Sequence, residues 1–249
     1  MRKTIIFLLA AVLTTIGCGR QQQTNADETQ DSDTLVTVVE GDSTVYGLAC
    51  DGCTDTILVF LPLDKIGADP DTVNILNASR AHRVLGRLLI GHNVGVVRNS
   101  SDKTVADVVI DMDNLGNTWC YQVMPTLHQR ADMAGRTERQ KLEQLPDSIR
   151  ELLEVSMEYQ LQLKSDHTAM TRGTMSNDEE QLIDYPTVKR YRRWHILNGQ
   201  LLLTEMDIDS VGNFYTTSID TATIMMLSPD TLVLKFRDSV QGYYAGVKQ

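Results

Sequence analysis

Two apolar runs, Trp194-His195-Ile196-Leu197 and Gln200-Leu201-Leu202-Leu203, are separated by Asn198-Gly199 and nothing else. A two-residue connection of this composition is a type I′ turn, because both central positions need φ > 0. It obliges the flanking runs to pair as an antiparallel hairpin. The same pattern extends over most of the chain. Short runs rich in Val, Ile, Leu and Thr, broken by Gly, Asp and Asn, fall at 34–40, 44–49, 55–61, 73–76, 94–98 and 105–110. They resume at 157–163, 169–172, 188–197, 201–206, 223–227, 231–236 and 242–247. Runs this short, with turn residues between them, build small closed or sandwiched sheets. The fold class expected is mainly β: two small antiparallel barrels, with a helical insert in the second.

The N-terminus is different. Arg2 and Lys3 precede an apolar stretch over 5–16, and Gly17-Cys18 follows. This is the layout of a secretory signal, and the stretch is shorter than the roughly 20 residues that span a bilayer. It resembles the signal of a bacterial lipoprotein, although Thr15 stands where that motif usually has Leu. The resemblance implies cleavage after residue 17 and an acyl chain such as palmitate on Cys18. The mature protein would then sit in the cell envelope, anchored in the outer membrane on its periplasmic or surface face. Residues 18–33 carry no apolar side chain larger than Ala and read as a flexible tether. Their acidic end resembles the export signals of surface lipoproteins of Bacteroidota. Removing residues 1–17 takes two of the 23 basic residues and none of the 33 acidic ones, leaving a net charge of −12. Such a chain presents no broad footprint for nucleic acid.

Two domains are expected after the tether, over 34–113 and 114–249. In the first, Ile90-Gly91-His92-Asn93-Val94 resembles the opening of the fourth strand of an OB-fold. In the second, the ordered pieces are Gly116 with Trp119, the strand from Leu161 to the polar turn at Thr168, the hairpin from Trp194 to Leu201, and Met226 to Leu234. Their order resembles the lipocalin-like domains of Bacteroidota lipoproteins, which implies a ligand-binding barrel. The insert changes period. Thr137 with Gln140 fits a capping box, Pro146 can open a second helix, and Leu145, Ile149, Leu152 and Leu153 form one apolar stripe. That stripe is expected to pack on the barrel and help close one mouth.

Chemistry is sparse. Gly-x-Ser-x-Gly, Gly-x-x-x-x-Gly-Lys and His-Glu-x-x-His are all absent. The five histidines stand far apart. No catalytic residue, metal or cofactor is assigned, and the chain is read as a non-enzyme. Cys50-Asp51-Gly52-Cys53 lies between two strand runs, without the helix N-terminus that lowers a redox thiol's pKa. Cys50 and Cys53 therefore read as a hairpin disulfide or as two reduced thiols. Zinc would need Cys120 and a histidine from the next domain as further ligands. Lys189, Arg190, Arg192 and Arg193 around Tyr191 read as long solvated side chains of a strand, in preference to a nucleic-acid platform. Trp119, Tyr121 and Trp194 are the candidate ligand-pocket side chains of the second barrel, with plain core packing as the alternative.

Asp followed by Ser or Thr and then an apolar residue or Thr starts at Asp33, Asp42, Asp55, Asp71, Asp147, Asp209, Asp220, Asp230 and Asp238. The triplet resembles the O-glycosylation acceptor of exported Bacteroidota proteins, with Thr34 beside the tether as the candidate site. Fold grammar accounts for the count, Asp ending a turn and a β-former opening a strand, so only a minority of the sites are expected to be modified. The functional expectation is a lipid-anchored envelope protein that binds a small or extended ligand through its second barrel. The alternative is a structural or interaction module of an envelope complex. The partners expected are the membrane, through the lipid, and an unidentified small ligand or envelope protein.

Overall fold

A computed structural model of the chain describes residues 40–65, 67–128, 135, 137–178 and 182–246. The signal, the tether, Cys18 and Thr34 lie outside them. The first sheet is built from β1 (Thr44–Ala49), β2 (Ile57–Pro62), β3 (Asp71–Asn74), β4 (Val84–Leu85), β5 (Asn93–Arg98) and β6 (Ala106–Asp111), with helix α1 (Leu76–Arg80) between β3 and β4. Their spatial order is β3-β2-β1-β5-β6-β4. Pairing is antiparallel except at β4, which runs parallel to β6. A parallel bridge between Asn74 and Val105 draws the end of β3 to the start of β6, so the sheet curls back on itself.

Helix α2 (Met112–Leu115) links the sheets. Asp111 caps it, its carboxylate accepting from the N–H groups of Asp113 and Asn114, both at 3.1 Å. These are donors a helix start cannot satisfy internally. The second sheet follows with β7 (Thr118–Val123), β9 (Met157–Leu163), β10 (Ala169–Arg172), β12 (Tyr191–Leu197), β13 (Gln200–Ile208), β14 (Phe214–Leu227), β15 (Thr231–Lys235) and β16 (Val240–Ala245). Two short strands, β8 (Thr126–Leu127) and β11 (Ile183–Asp184), pair with each other beside it. The order is β10-β9-β7-β16-β15-β14-β13-β12. Its two ends meet at an antiparallel bridge between Thr168 and Arg193, where Trp194 N donates to His167 O at 2.9 Å. The result is an almost closed eight-stranded barrel.

The turn at 198–199 has φ of 50° at Asn198 and 81° at Gly199, the geometry that an Asn-Gly hairpin requires. It also docks on the first sheet. A Cβ on Gly199 would come within 3.1 Å of Val108, Asn198 Oδ1 accepts from Ser43 N at 2.9 Å, and the Tyr46 hydroxyl donates to Ile196 O at 3.0 Å. Strand β6 serves both sheets. Ala106 and Val109 belong to the core of the first sheet with Leu58, Phe60 and Val96. Val108 and Ile110 belong to the barrel core with Trp119, Trp194, Leu201 and Leu232. Period-two alternation separates Val109 from Val108 and Ile110, since successive side chains leave opposite faces. A register shift that skips Asp107 between the pairs Val97–Val108 and Arg98–Ala106 brings Ala106 to the side of Val109.

The insert contains helices α3 (Glu138–Glu143) and α4 (Asp147–Leu152). Thr137 and Gln140 form the reciprocal capping box, and Pro146 is the N-cap of α4. Within the stripe Leu145 is buried, Ile149 and Leu153 are half-buried, and Leu152 is 44% exposed.

Candidate functional site

Alternation along the barrel strands decides what faces inward. At one end the interior is filled. Trp119 and Trp194 are buried there among Leu163, Ile196, Leu201, Leu203 and Leu232. Their indole N–H groups are satisfied by the backbone: Trp119 donates to Leu115 O and Trp194 to Lys164 O, each at 2.9 Å. Both tryptophans thus serve as packing at the closed end. Moving two residues along β7 from Trp119 reaches Tyr121, and there the interior opens. A cavity of about 670 Å³ is lined by Tyr121, Leu161, Lys189, Tyr191, Asp220 and Tyr243 among others. Of the three aromatic residues singled out from the sequence, Tyr121 alone lines this space. Among the described residues, none of the insert lines it. Leu145, Ile149, Leu152 and Leu153, the stripe expected to help close a mouth, thus do not border this cavity, whose described rim is the segment before β12 and the turn between β15 and β16.

The aromatic side chains are locked to one another. Tyr121 meets Tyr159 and Tyr243 edge to face, with ring centroids 5.7 and 5.1 Å apart. This is the arrangement favoured by the ring quadrupoles. Tyr159 is buried beneath them and donates its hydroxyl to Pro186 O at 2.8 Å. At the mouth, the Asp220 carboxylate accepts from Lys189 Nζ at 2.7 Å and from the Tyr191 hydroxyl. Burial works to raise the Asp220 pKa, but the bonds from Lys189 and Tyr191 outweigh it and hold the carboxyl below its ordinary value. Burial, reinforced by Asp220, drives the Tyr191 phenol far above its ordinary value. Burial does the same for Tyr243, with a smaller contribution from Tyr121. All three phenols of the mouth keep their protons at neutral pH.

Asp220, Tyr191 and Tyr243 escape a reading of the sequence for different reasons. Asp220 belongs to the recurring Asp-Ser/Thr triplet, which reads as a turn before a strand. The described triplets follow that grammar at β1, β2, β3, β15 and β16, at the start of α4 and in the β13–β14 turn. Asp220 alone lies in the middle of a strand, and that exception was the available signal. Tyr191 sits inside the basic run, whose Arg190, Arg192 and Arg193 are exposed as expected while Lys189 turns to Asp220. Tyr243 and Tyr244 are adjacent, and only pairing with β15 decides which of them faces in.

Other candidate groups lie elsewhere. Cys50 and Cys53 are free thiols, held by weak contacts to backbone carbonyls. Cys120 is buried against the outer side of β7, where burial, then the neighbouring Glu158, raises its thiol pKa. A larger outer groove of about 820 Å³ passes over Cys120, Glu158 and Tyr244. Tyr244 in it donates to Glu158 at 2.6 Å and accepts from Gln122. Among the described residues, His92, Asp111 and Asp113 bring metal-ligand atoms within 4.8 Å of one another. The Asp111 carboxylate there is occupied by the N–H groups of Arg87, Asp113 and Asn114 and by His92 Nδ1. That leaves it a structural junction with little room for a cation.

No family model matches the chain, and no curated protein matches it. A crystal structure described as a lipocalin-like protein from Bacteroides thetaiotaomicron is similar to it, with 14% sequence identity and a TM-score of 0.27, over 53% of this chain and 96% of that one.

Proposed function

We propose that the protein is a non-enzymatic, lipid-anchored envelope protein whose lipocalin-like barrel holds a small or extended ligand at its open mouth. The observation that carries this reading is the cavity of about 670 Å³ walled by Tyr121, Tyr191 and Tyr243. It lies within the size range of small-molecule sites, combines an apolar wall with a few placed polar groups, and occupies a barrel mouth, where such sites recur. The first sheet is assigned as an OB-like barrel that supports the second. Its order, the helix after β3 and the parallel closure at Asn74 and Val105 favour that assignment. The lipid on Cys18 would hold the pair of barrels at the outer membrane.

The test is occupancy. Gln241 lines the mouth, and its side-chain amide bonds only to the neighbouring Gly242 carbonyl. Gln241→Trp should fill the cavity, leave the unfolding midpoint near that of the wild type and abolish binding of a fluorescent apolar probe such as N-phenyl-1-naphthylamine. Probe binding that survives Gln241→Trp would move the ligand site elsewhere. Cys18→Ser should move the protein from the membrane to the soluble fraction, and fatty acid retained on that variant would refute the anchor.

A second reading has its own observation. Beyond the barrel, β13 and β14 project as a hairpin carrying exposed Ile208, Val211, Phe214, Tyr215 and Ile219. Strand β15 joins β14 only from Thr223 onward. An apolar ribbon with an open edge suits attachment to an envelope protein.

A further inference from the structure

Resting on the ligand-binding reading, we infer that the mouth selects an uncharged amphipathic molecule that presents an acceptor oxygen to the hydroxyls of Tyr121 and Tyr243. Buried tyrosine and tryptophan side chains normally find a hydrogen-bond partner, and this fold supplies one almost everywhere. Tyr46 reaches Ile196 O, Tyr159 reaches Pro186 O, Tyr185 reaches Val155 O and Tyr191 reaches Asp220. Trp119 and Trp194 reach Leu115 O and Lys164 O. Among the described residues, the buried or half-buried tyrosine and tryptophan side chains whose polar atom has no protein partner are Tyr121 and Tyr243. Both line the same cavity. Outside these two residue types, the half-buried His167 also has an unpaired ring nitrogen, away from this cavity. Tyr243 is only 8% exposed, so what little its surface shows is turned toward that space.

The chemistry of the occupant follows. The two hydroxyls open to the cavity and are not among the buried unpaired atoms of the described residues. A protonated phenol is a better donor than acceptor, so the partner an occupant supplies in place of water is an oxygen with a free lone pair. The charges at the mouth cancel, Lys189 against Asp220 in direct contact and Arg237 beside Asp238 on the rim. A charged ligand would find no net countercharge among these groups. Leu161, Val188 and Phe236 with the tyrosine rings supply an apolar wall for the rest of the molecule. A ketone, ester, amide or ether oxygen on a hydrophobic body meets all three demands.

Three probes of one shape separate the terms. Isothermal titration of the full chain would use 2-acetylnaphthalene, 2-ethylnaphthalene and 2-naphthoate. The acetyl compound should bind about ten-fold tighter than the ethyl compound, the value of one buried hydrogen bond, and tighter than the carboxylate. In the Tyr121→Phe/Tyr243→Phe variant the ratio of acetyl to ethyl affinity should fall to about one. Equal binding of the acetyl and ethyl compounds by the wild type, or tightest binding of 2-naphthoate, overturns the inference while leaving a ligand-binding mouth. Retention of the ten-fold ratio by the double variant overturns it as well. If none of the three binds at millimolar concentration, the ligand-binding reading falls with it. The wild-type comparison stands alone should the double variant not fold.

Discussion

Asp220 sits mid-strand in β14, half-buried, with Lys189 and Tyr191 bonded to its carboxylate and the barrel-mouth cavity beside it. Its folded pKa is depressed, with burial opposing and the two hydrogen bonds prevailing. Such a group stabilises the fold fully above the unfolded carboxylate range, and that contribution is lost as pH falls through the lowered native value. Lys189 is about half exposed, so solvent screens the pair, and its worth is on the order of 1 kcal/mol. Asp220→Asn should lower the melting temperature at pH 7 and should narrow the gap to the wild type as the pH is taken below the carboxylate range. A pH-independent gap would assign the loss to packing. Residue-scale legibility follows the same line. Tyr121 was readable because it lies two positions from Trp119 on one strand face. Asp220 and Tyr243 were not, since their roles come from strands brought together across the barrel.

The hairpin at Asn198-Gly199 and the capping box at Thr137 were readable as elements because each is set by residues within a turn of one another. The first half of β14 was not. Phe214-Tyr215-Thr216-Thr217-Ser218 precedes an Asp-Thr pair that ordinarily interrupts a strand, and only its ladder with β13 carries it through. Helix α1 and strand β4 are too short to leave a periodic signature. The stripe of the insert was readable as a helix, but its partners were not. Leu145 is 6% exposed whereas Leu152 is 44% exposed. Leu145→Ala should therefore cost about 2 kcal/mol, and Leu152→Ala no more than about 0.5 kcal/mol. Urea unfolding with equal slopes for the two variants would measure this difference. Similar losses from both would mean that Leu152 packs against a surface in solution.

At the scale of the whole molecule, sheet content and the division into two sheets were legible, while the spatial order of the strands and the junction between the sheets were not. Leu85, Val108 and Ile110 come from the first sheet and lie in the barrel core. A fragment over 113–249 keeps all eight strands of the barrel and lacks these three side chains. It should unfold cooperatively at a clearly lower urea midpoint than the full chain, because burying one such side chain contributes about 1.5–3 kcal/mol. A fragment as stable as the whole would make the contact between the sheets incidental. Among the described residues no helix is long and apolar enough to cross a membrane. On the proposed reading, the lipid on Cys18 supplies the attachment that the described residues do not provide as a helix.

Strand β6 has no face turned to water along most of its length: Ala106 and Val109 look into one core, Val108 and Ile110 into the other. The six residues of β6 are thus a shared inheritance of both halves. A recombination event that exchanged the first sheet for a distant relative's would import a β6 shaped for another barrel. The two halves are accordingly expected to travel through evolution as a pair, with compensating changes on the two sides of this one strand.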